Sequence, residues 1–273
     1  MGLRQILFSR FLRAYYLRGL RGFYILNRIL NRNNKLIAKN RYGVLFELDP
    51  RAYIDSIVLR EGYYESEIIE SVLALGEENL VFWDIGCHFG LHAVTVKKLL
   101  PKSNVIAFEP LEKMRERIKI NQRLNKLDFS IFPYALSDKS EATYLYTDTE
   151  HISGRSSLIN LESADLKNKI QITSKTAWDI VVQENIPLPD VVKIDVEGAE
   201  SLVVLGMKKL IEQEKIGVII FEADKDLLTK ENSLVDFLTQ QSFEITILHR
   251  NENTDHLLAN FIAKRTISHS SDQ

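Results

Sequence analysis

Asp84, Gly86 and Gly90 share one seven-residue turn, Asp-Ile-Gly-Cys-His-Phe-Gly. Glu109 follows about twenty residues on, the spacing at which nucleotide-type sites place an acid. Glycine lets such a turn bend tightly and approach a ligand without a Cβ in the way. A carboxylate at the end of the next strand accepts both hydrogen bonds of a ribose diol, so the set suits an adenosine-containing cofactor. A dinucleotide turn needs a middle glycine to admit a pyrophosphate, and His88 stands there instead. Asp84 would repel a phosphate and attract a cationic amino group. S-adenosylmethionine, cationic at its sulfonium and amino groups, fits that polarity better than NAD.

The elements that position these residues are legible in the hydrophobic pattern. Residues 81–83 and 105–108 are short apolar runs of the buried parallel type, and Val94, Leu99 and Leu100 recur between them at helical spacing. The unit is βαβ. The rhythm continues, with strands expected near 80–85, 104–109, 129–135, 190–196, 216–222, 243–248 and 259–265. Helices fill most intervals, including 112–125 and 233–241. This is an α/β chain with a doubly wound, seven-stranded, mostly parallel sheet. Residues 138–173 break the rhythm: 141–146 and 169–173 alternate like an inserted β-hairpin, leaving 151–161 as a loop over the site. Ligands of open α/β sheets sit at the carboxyl ends of the strands, so acceptor contacts are expected from this insertion. Residues 1–61 read as a basic amphipathic extension, 62–265 as the catalytic domain and 266–273 as a polar tail.

The run DVVKIDVEGAESLVVLGMKKL, residues 190–210, makes a resemblance specific. DIGCHFG, AFEP, YALSD at 134–138, SSL at 156–158, KIDVEGAE at 193–200 and FEAD at 221–224 occur in the order seen in FkbM-type methyltransferases. The chain resembles that family over about 62–265. The resemblance implies a Rossmann-like class I fold and an S-adenosylmethionine-dependent O-methyltransferase acting on a hydroxyl of a sugar, glycan or other small metabolite. His88 stands where the family commonly carries Asn, and Cys87 where it carries Ala. Before the fourth strand, the usual Thr-Leu-Asp reads Thr176, Ala177, Trp178, Asp179. These departures bear on the acceptor pocket more than on the cofactor.

Methyl transfer needs an acceptor oxygen held in line with the leaving sulfur and relieved of its proton. Asp195 and Glu197 leave the fourth strand together and are the candidate catalytic acids, Asp195 near the methyl end and Glu197 toward acceptor or cofactor. Glu200, one helical step on, is expected to cap the following helix. His88 is a candidate base or cofactor contact, and His151 in the expected loop a weaker base. Glu222 ends the fifth strand and, with Asp179, is a candidate acceptor contact. Glu65, in GYYES, recurs in the family pattern and is expected to close over the cofactor. The adenine should lie against Ala135, Ser137 and Asp138, with Asp138 accepting from the exocyclic amine or capping a turn. Asp179, Asp195, Glu197 and Glu222 are oxygen ligands of the kind Mg²⁺ prefers, but sequence does not place them around one point. His88 and His92 lack a third ligand, so no zinc site is expected; no residue is assigned as a metal ligand, and use of a divalent metal stays open.

With 273 residues, 45% hydrophobic and 26% charged, the chain can bury one sizeable core and falls outside the disordered classes. A net charge of −2 argues against nucleic acid as partner. A single cysteine cannot form an internal disulfide, which points to a cytoplasmic or other reducing compartment. Residues 1–41 contain no acid, and their arginines are interleaved with Leu, Ile, Phe and Tyr. Those arginines break any signal-peptide core or membrane span. The segment either lies on an anionic membrane, with Phe8, Phe11, Leu12, Tyr15 and Phe23 inward, or packs on the domain. Two competing functions remain: a nicotinamide oxidoreductase, disfavoured by the missing glycine, and a membrane-recruited scaffold, which has no need of Asp84, Glu109, Asp195 and Glu197 together.

Overall fold

The structure is a computed structural model that describes residues 35–147, 156–157, 168–229, 232–249 and 258–266. It opens with an antiparallel pair, β1 (Leu36–Lys39) and β2 (Leu45–Leu48), then α1 (Tyr53–Glu61) and α2 (Ser66–Leu73). The βαβ unit is β3 (Val81–Ile85), α3 (Leu91–Leu99) and β4 (Asn104–Phe108), followed by α4 (Glu112–Asn125). Next come β5 (Ser130–Phe132), β6 (Tyr134–Leu136), β7 (Glu141–Thr147), β8 (Ser156–Ser157) and β9 (Asn168–Lys175). The second half runs α5 (Ala177–Glu184), β10 (Val191–Ile194), α6 (Glu200–Gly206), α7 (Lys208–Ile211), β11 (Val218–Asp224), α8 (Ser233–Gln240), β12 (Phe243–His249) and β13 (Leu258–Arg265).

Seven strands form the main sheet in the order β12-β13-β11-β10-β3-β4-β5. β3, β4, β5, β10 and β11 pair in parallel, and β13 runs antiparallel to both β11 and β12. The doubly wound sheet expected from the periodicity is the one observed. Its central strands are buried on both faces, which is why 81–85 and 191–194 read as unbroken apolar runs apart from Asp84 and Lys193. One cluster, with Phe82, Phe89, Val94 and Ile118, packs on one side; a second, with Trp83, Ile85, Val203 and Phe221, packs on the other.

Two expectations change in detail. The strand foreseen over 129–135 is split at Pro133, which has no N–H to donate to a ladder. β5 stays in the main sheet, while β6 joins β9 and β7 in a second, four-stranded sheet. The inserted hairpin is β7 against β9, from Glu141↔Ser174 to Thr147↔Asn168. Ser156 and Ser157, foreseen as loop, pair with β7 as β8.

Leu36–Glu61, assigned from sequence to the basic helical extension, contributes two strands and a helix to the main core. Leu36 and Ala38, and Phe46 and Leu48, alternate inward with the period of a half-buried strand. The open edge of β2 is closed by side chains one turn apart on α4: Asn121 accepts from Glu47 N at 2.9 Å, and Asn125 both accepts from and donates to the Leu45 backbone, at 2.9 and 2.7 Å. Arg117 of α4 reaches into the same joint. It donates to the buried Asp55 carboxylate and to Glu47 O, and its guanidinium lies 4.5 Å over the Phe89 ring. Removing one partner of such a buried pair leaves the other charge uncompensated, at a cost of roughly 3–5 kcal/mol. That joint fixes the segment leading to Glu65 against the catalytic half of the sheet.

Candidate active site

The strand order reverses between β3 and β10, so the crevice of the sheet opens at their carboxyl ends. The turns leaving these strands touch. Asp195 N donates to Ile85 O at 3.0 Å, and a Cβ on Gly86 would meet Asp195 O at 1.9 Å. Gly86 has φ +73 and Gly90 φ +80, and a Cβ on Gly90 would crowd Ile118 of α4 at 3.2 Å. Both glycines were expected to make room for a ligand. The structure shows that each is demanded first by the close approach of protein to protein.

Glu109 leaves β4 beside this turn and is buried. Its carboxylate accepts from His88 N and Leu111 N, both at 2.9 Å. Burial pushes the group up to about 7, against the pull of those two amides. Each oxygen keeps a lone pair, so a diol can still donate to the ionised form. His88 adopts a left-handed backbone, φ 50, and its ring Nδ1 is buried with no hydrogen-bond partner. Burial, with help from Arg117, lowers His88 to about 3, so the ring is neutral at physiological pH. It is a weak base and a ready hydrogen-bonding group.

Asp84 is fully buried. Its Oδ2 accepts from Ala93 N in the first turn of α3, and its Oδ1 faces the ammonium of Lys193 at 3.5 Å. The cation expected to arrive with a ligand is thus met by one already in the chain. Lys193 also lies 3.0 Å from Asp195 Oδ2. Burial opposes the charge on both partners, yet each wins: Lys193 is raised by Asp195, Asp84 and Glu65, and Asp195 is held low by Lys193.

Glu222, near the carboxyl end of β11, feels the charge of Asp195. Burial first, and then the charges of Asp195, Glu65, Glu197 and Glu200, push it up to about 8. Glu65 sits in a left-handed N-cap, φ 52, at the head of α2, with Oε2 3.6 Å from His92 Nε2. His92 in turn contacts the Tyr63 hydroxyl at 3.4 Å. Tyr64 is raised by burial first and then by the charges of Glu65, Asp195 and Glu222. Glu197 turns the chain in a left-handed conformation, φ 55. Glu200 does not cap the helix, whose N-cap, Ala199, has no side-chain cap; its Oε1 instead ties the preceding turn, accepting from Val196 N and Gly198 N at 3.1 Å each.

The remaining candidates have partners of their own. Ala135 is buried in a small core with Leu145 and Ile172. Ser137 donates to Asp138 Oδ1 at 3.1 Å, so that carboxylate serves the turn that bears it. A Cβ on Gly206 would meet Ser137 O at 1.9 Å, so α6 presses directly on this segment. Asp179 is not gathered with the strand-end acids. It accepts from Ser140 Oγ, and its charged neighbours are Lys209 and Lys175. His151 lies outside the described residues. Among the described residues no group of three or more His, Cys, Asp or Glu side chains is placed to hold a metal. Lys193 and Tyr64 were missed from sequence, although a lysine inside the apolar run 191–194 was a visible signal of a buried ion pair.

The fixed charges suit a cationic ligand carrying a ribose: ionisable acids at the strand ends, a buried carboxylate beside the turn, and an unpartnered ring nitrogen. The comparisons agree. The family model described as the Methyltransferase FkbM domain matches residues 84–253. The hexuronic acid methyltransferase AglP of Haloferax volcanii is 26% identical over 189 residues, which cover 69% of this chain and 74% of that protein. The AMB antimetabolite synthetase AmbE of Pseudomonas aeruginosa is 25% identical over 61% of this chain, which spans only 10% of that protein. Among solved structures, the precorrin-6y C5,15-methyltransferase of Geobacter metallireducens aligns with a TM-score of 0.47 and 14% identity, covering 81% of this chain and 94% of that one. The chain belongs to the FkbM methyltransferase domain family and is a methyltransferase that takes its methyl group from S-adenosylmethionine.

Proposed function

We propose that the chain methylates a hydroxyl of a sugar or glycan, with Glu222 receiving the hydroxyl proton and Asp195 orienting the oxygen. The observation that carries this reading is the separation of two neighbouring carboxyls: Asp195 is held low by Lys193, while Glu222 is pushed up to about 8 by burial and four acids. Environments that drive paired carboxyls apart assign a permanent anion and a proton acceptor. S-adenosylmethionine, when bound, supplies a methyl group activated by its sulfonium. Glu109 would hold the ribose, His88 the cofactor beside the turn, and Glu197 and Tyr64 the acceptor. The sugar is supported by the hexuronic acid specificity in the name of the Haloferax relative.

The test is methyl transfer by the full chain to a panel of a uronic acid, a neutral hexose and an amino sugar, with wild type and Glu222→Gln. For the sugar accepted, wild-type rate rises with pH toward about 8. Glu222→Gln loses that rise and at least about 100-fold in kcat. An unchanged rate and pH profile would remove Glu222 from the reaction, and failure of every sugar would remove the sugar.

Residues 1–30 support a second element of the proposal, contact with the anionic inner face of a membrane, because 1–41 carry no acid among their arginines. Among the described residues no helix is long and apolar enough to cross a membrane. The full chain should sediment with vesicles containing phosphatidylserine and be released by about 0.5 M salt, which shortens the screening length about two-fold. A chain lacking residues 1–30 should stay in the supernatant; equal binding of both forms would refute the contact.

A further inference from the structure

Lys193 is a charge placed inside a strand whose other residues are Val, Val and Ile, and its side chain is 3% exposed. The parallel register sets it directly opposite Asp84. If its task were only to neutralise Asp84, the ammonium would be expected nearest that carboxylate. Instead it lies 3.5 Å from Asp84 Oδ1 and 3.0 Å from Asp195 Oδ2, where it donates a hydrogen bond. Asp84 is anchored separately by the Ala93 amide, and its Oδ1 has no hydrogen-bond partner. Asp195, by contrast, leaves the strand with a third of its side chain exposed, at 33%. A carboxylate in that position can rotate unless one oxygen is held.

We propose that Lys193 is a positioning residue that fixes the Asp195 carboxylate at the acceptor end of the crevice and ties it, through Asp84, to the cofactor turn. The proposal rests on the reading of Asp195 as the anion that orients the acceptor. The rail it describes runs from the first turn of α3 through Asp84 on β3 and Lys193 on β10 to Asp195. Each link is a direct contact, buried as far as the Lys193 ammonium and half-buried at Asp195, so a shift of the cofactor turn is transmitted to the acceptor oxygen's partner. The other groups facing Asp195 cannot replace the lysine. Glu222 of β11 and Glu200 of α6 are acids that oppose its charge; His92 and His88 favour it, but His92 is shared with Glu65 and burial keeps His88 neutral. Without the ammonium, burial and these acids act on Asp195 in one direction, toward the protonated form.

Carboxyl-carbon NMR titration of the full chain tests the rail without needing an acceptor. The Asp195 signal is identified by its loss in Asp195→Asn, and wild type is compared with Asp84→Asn, Lys193→Met and the charge-balanced pair Asp84→Asn with Lys193→Met. In wild type and Asp84→Asn, Asp195 should stay ionised to below about pH 4, the ordinary aspartate value. In both variants lacking the lysine its midpoint should rise by about one unit or more. The double variant keeps the buried charge balanced, so the comparison stands even if Lys193→Met alone does not fold. An Asp195 that titrates alike in the double variant and Asp84→Asn, or at an ordinary value in wild type, overturns the proposal. Calorimetry with S-adenosylhomocysteine separates the two readings. Wild type that binds it while Asp195 ignores Lys193 loses only the rail; wild type that shows the coupling and binds nothing loses the site, and the positioning role with it.

Discussion

Glu109→Ala should weaken S-adenosylhomocysteine binding by about 100-fold in calorimetry, because it removes two hydrogen bonds to a charged acceptor at roughly 1.5 kcal/mol each. The effect has a pH signature. The buried carboxyl is pushed up to about 7. Only the ionised form accepts from both ribose hydroxyls, so wild-type affinity should climb as pH rises through about 7 and level off above it. Glu109→Gln keeps the size of the side chain but cannot ionise, and its weaker binding should be flat over the same range. The ligand-free protein should behave oppositely. An acid whose folded-state value is raised above its unfolded one binds more protons when folded, so stability falls as pH climbs from about 4.5 toward 7. Wild type whose affinity is indifferent to pH between 6 and 8 would detach Glu109 from the ribose.

Gly86→Ala should destabilise the chain by roughly 3 kcal/mol or more, the sum of a left-handed backbone and an overpacked contact. The added Cβ would sit 1.9 Å from Asp195 O, a backbone atom of the neighbouring turn that cannot rotate away. Either the β3 turn or the β10 turn must move, and the proposed function assigns the cofactor to the first and the acceptor to the second. A fall in melting temperature of about 6 °C or more is therefore expected together with loss of S-adenosylhomocysteine binding. Gly76 is the internal control, since it has φ +71 and nothing within 4 Å of a Cβ. Gly76→Ala carries the backbone strain alone, about 1–2 kcal/mol. If the two variants melt together, the contact between the turns is not tight.

How much of this site could be read from the chain is clearest residue by residue. Glu109, Asp195 and Glu222 each end an apolar run, and a residue following a buried parallel strand has little choice but to project at the carboxyl edge of the sheet. Glu200 was legible in part: a carboxylate just past a glycine turn can reach back to open amides, and it does, but to those of the turn rather than of the helix. Asp179 misled, since spacing before a strand does not reveal which loop folds beside it; Ser140 and the lysines took it up. Leu36–Glu61 misled for a related reason. Its alternation is only four residues long in each strand, and the partners that close its edge, Asn121 and Asn125, lie some eighty residues away.

Local sequence determined the family, the alternation of strands and helices, the glycine turn after the first core strand and the acids at the strand ends. These follow from periodicity, glycine and strand termination, which act over a few residues. Tertiary structure alone decided which charges meet. It set Lys193 across from Asp84 and beside Asp195, moved the proton affinities of two neighbouring carboxyls in opposite directions, and made Gly86 necessary through a carbonyl more than a hundred residues away. Charge and contact depend on distance in space, and the chain specifies that only once the strands have found their register.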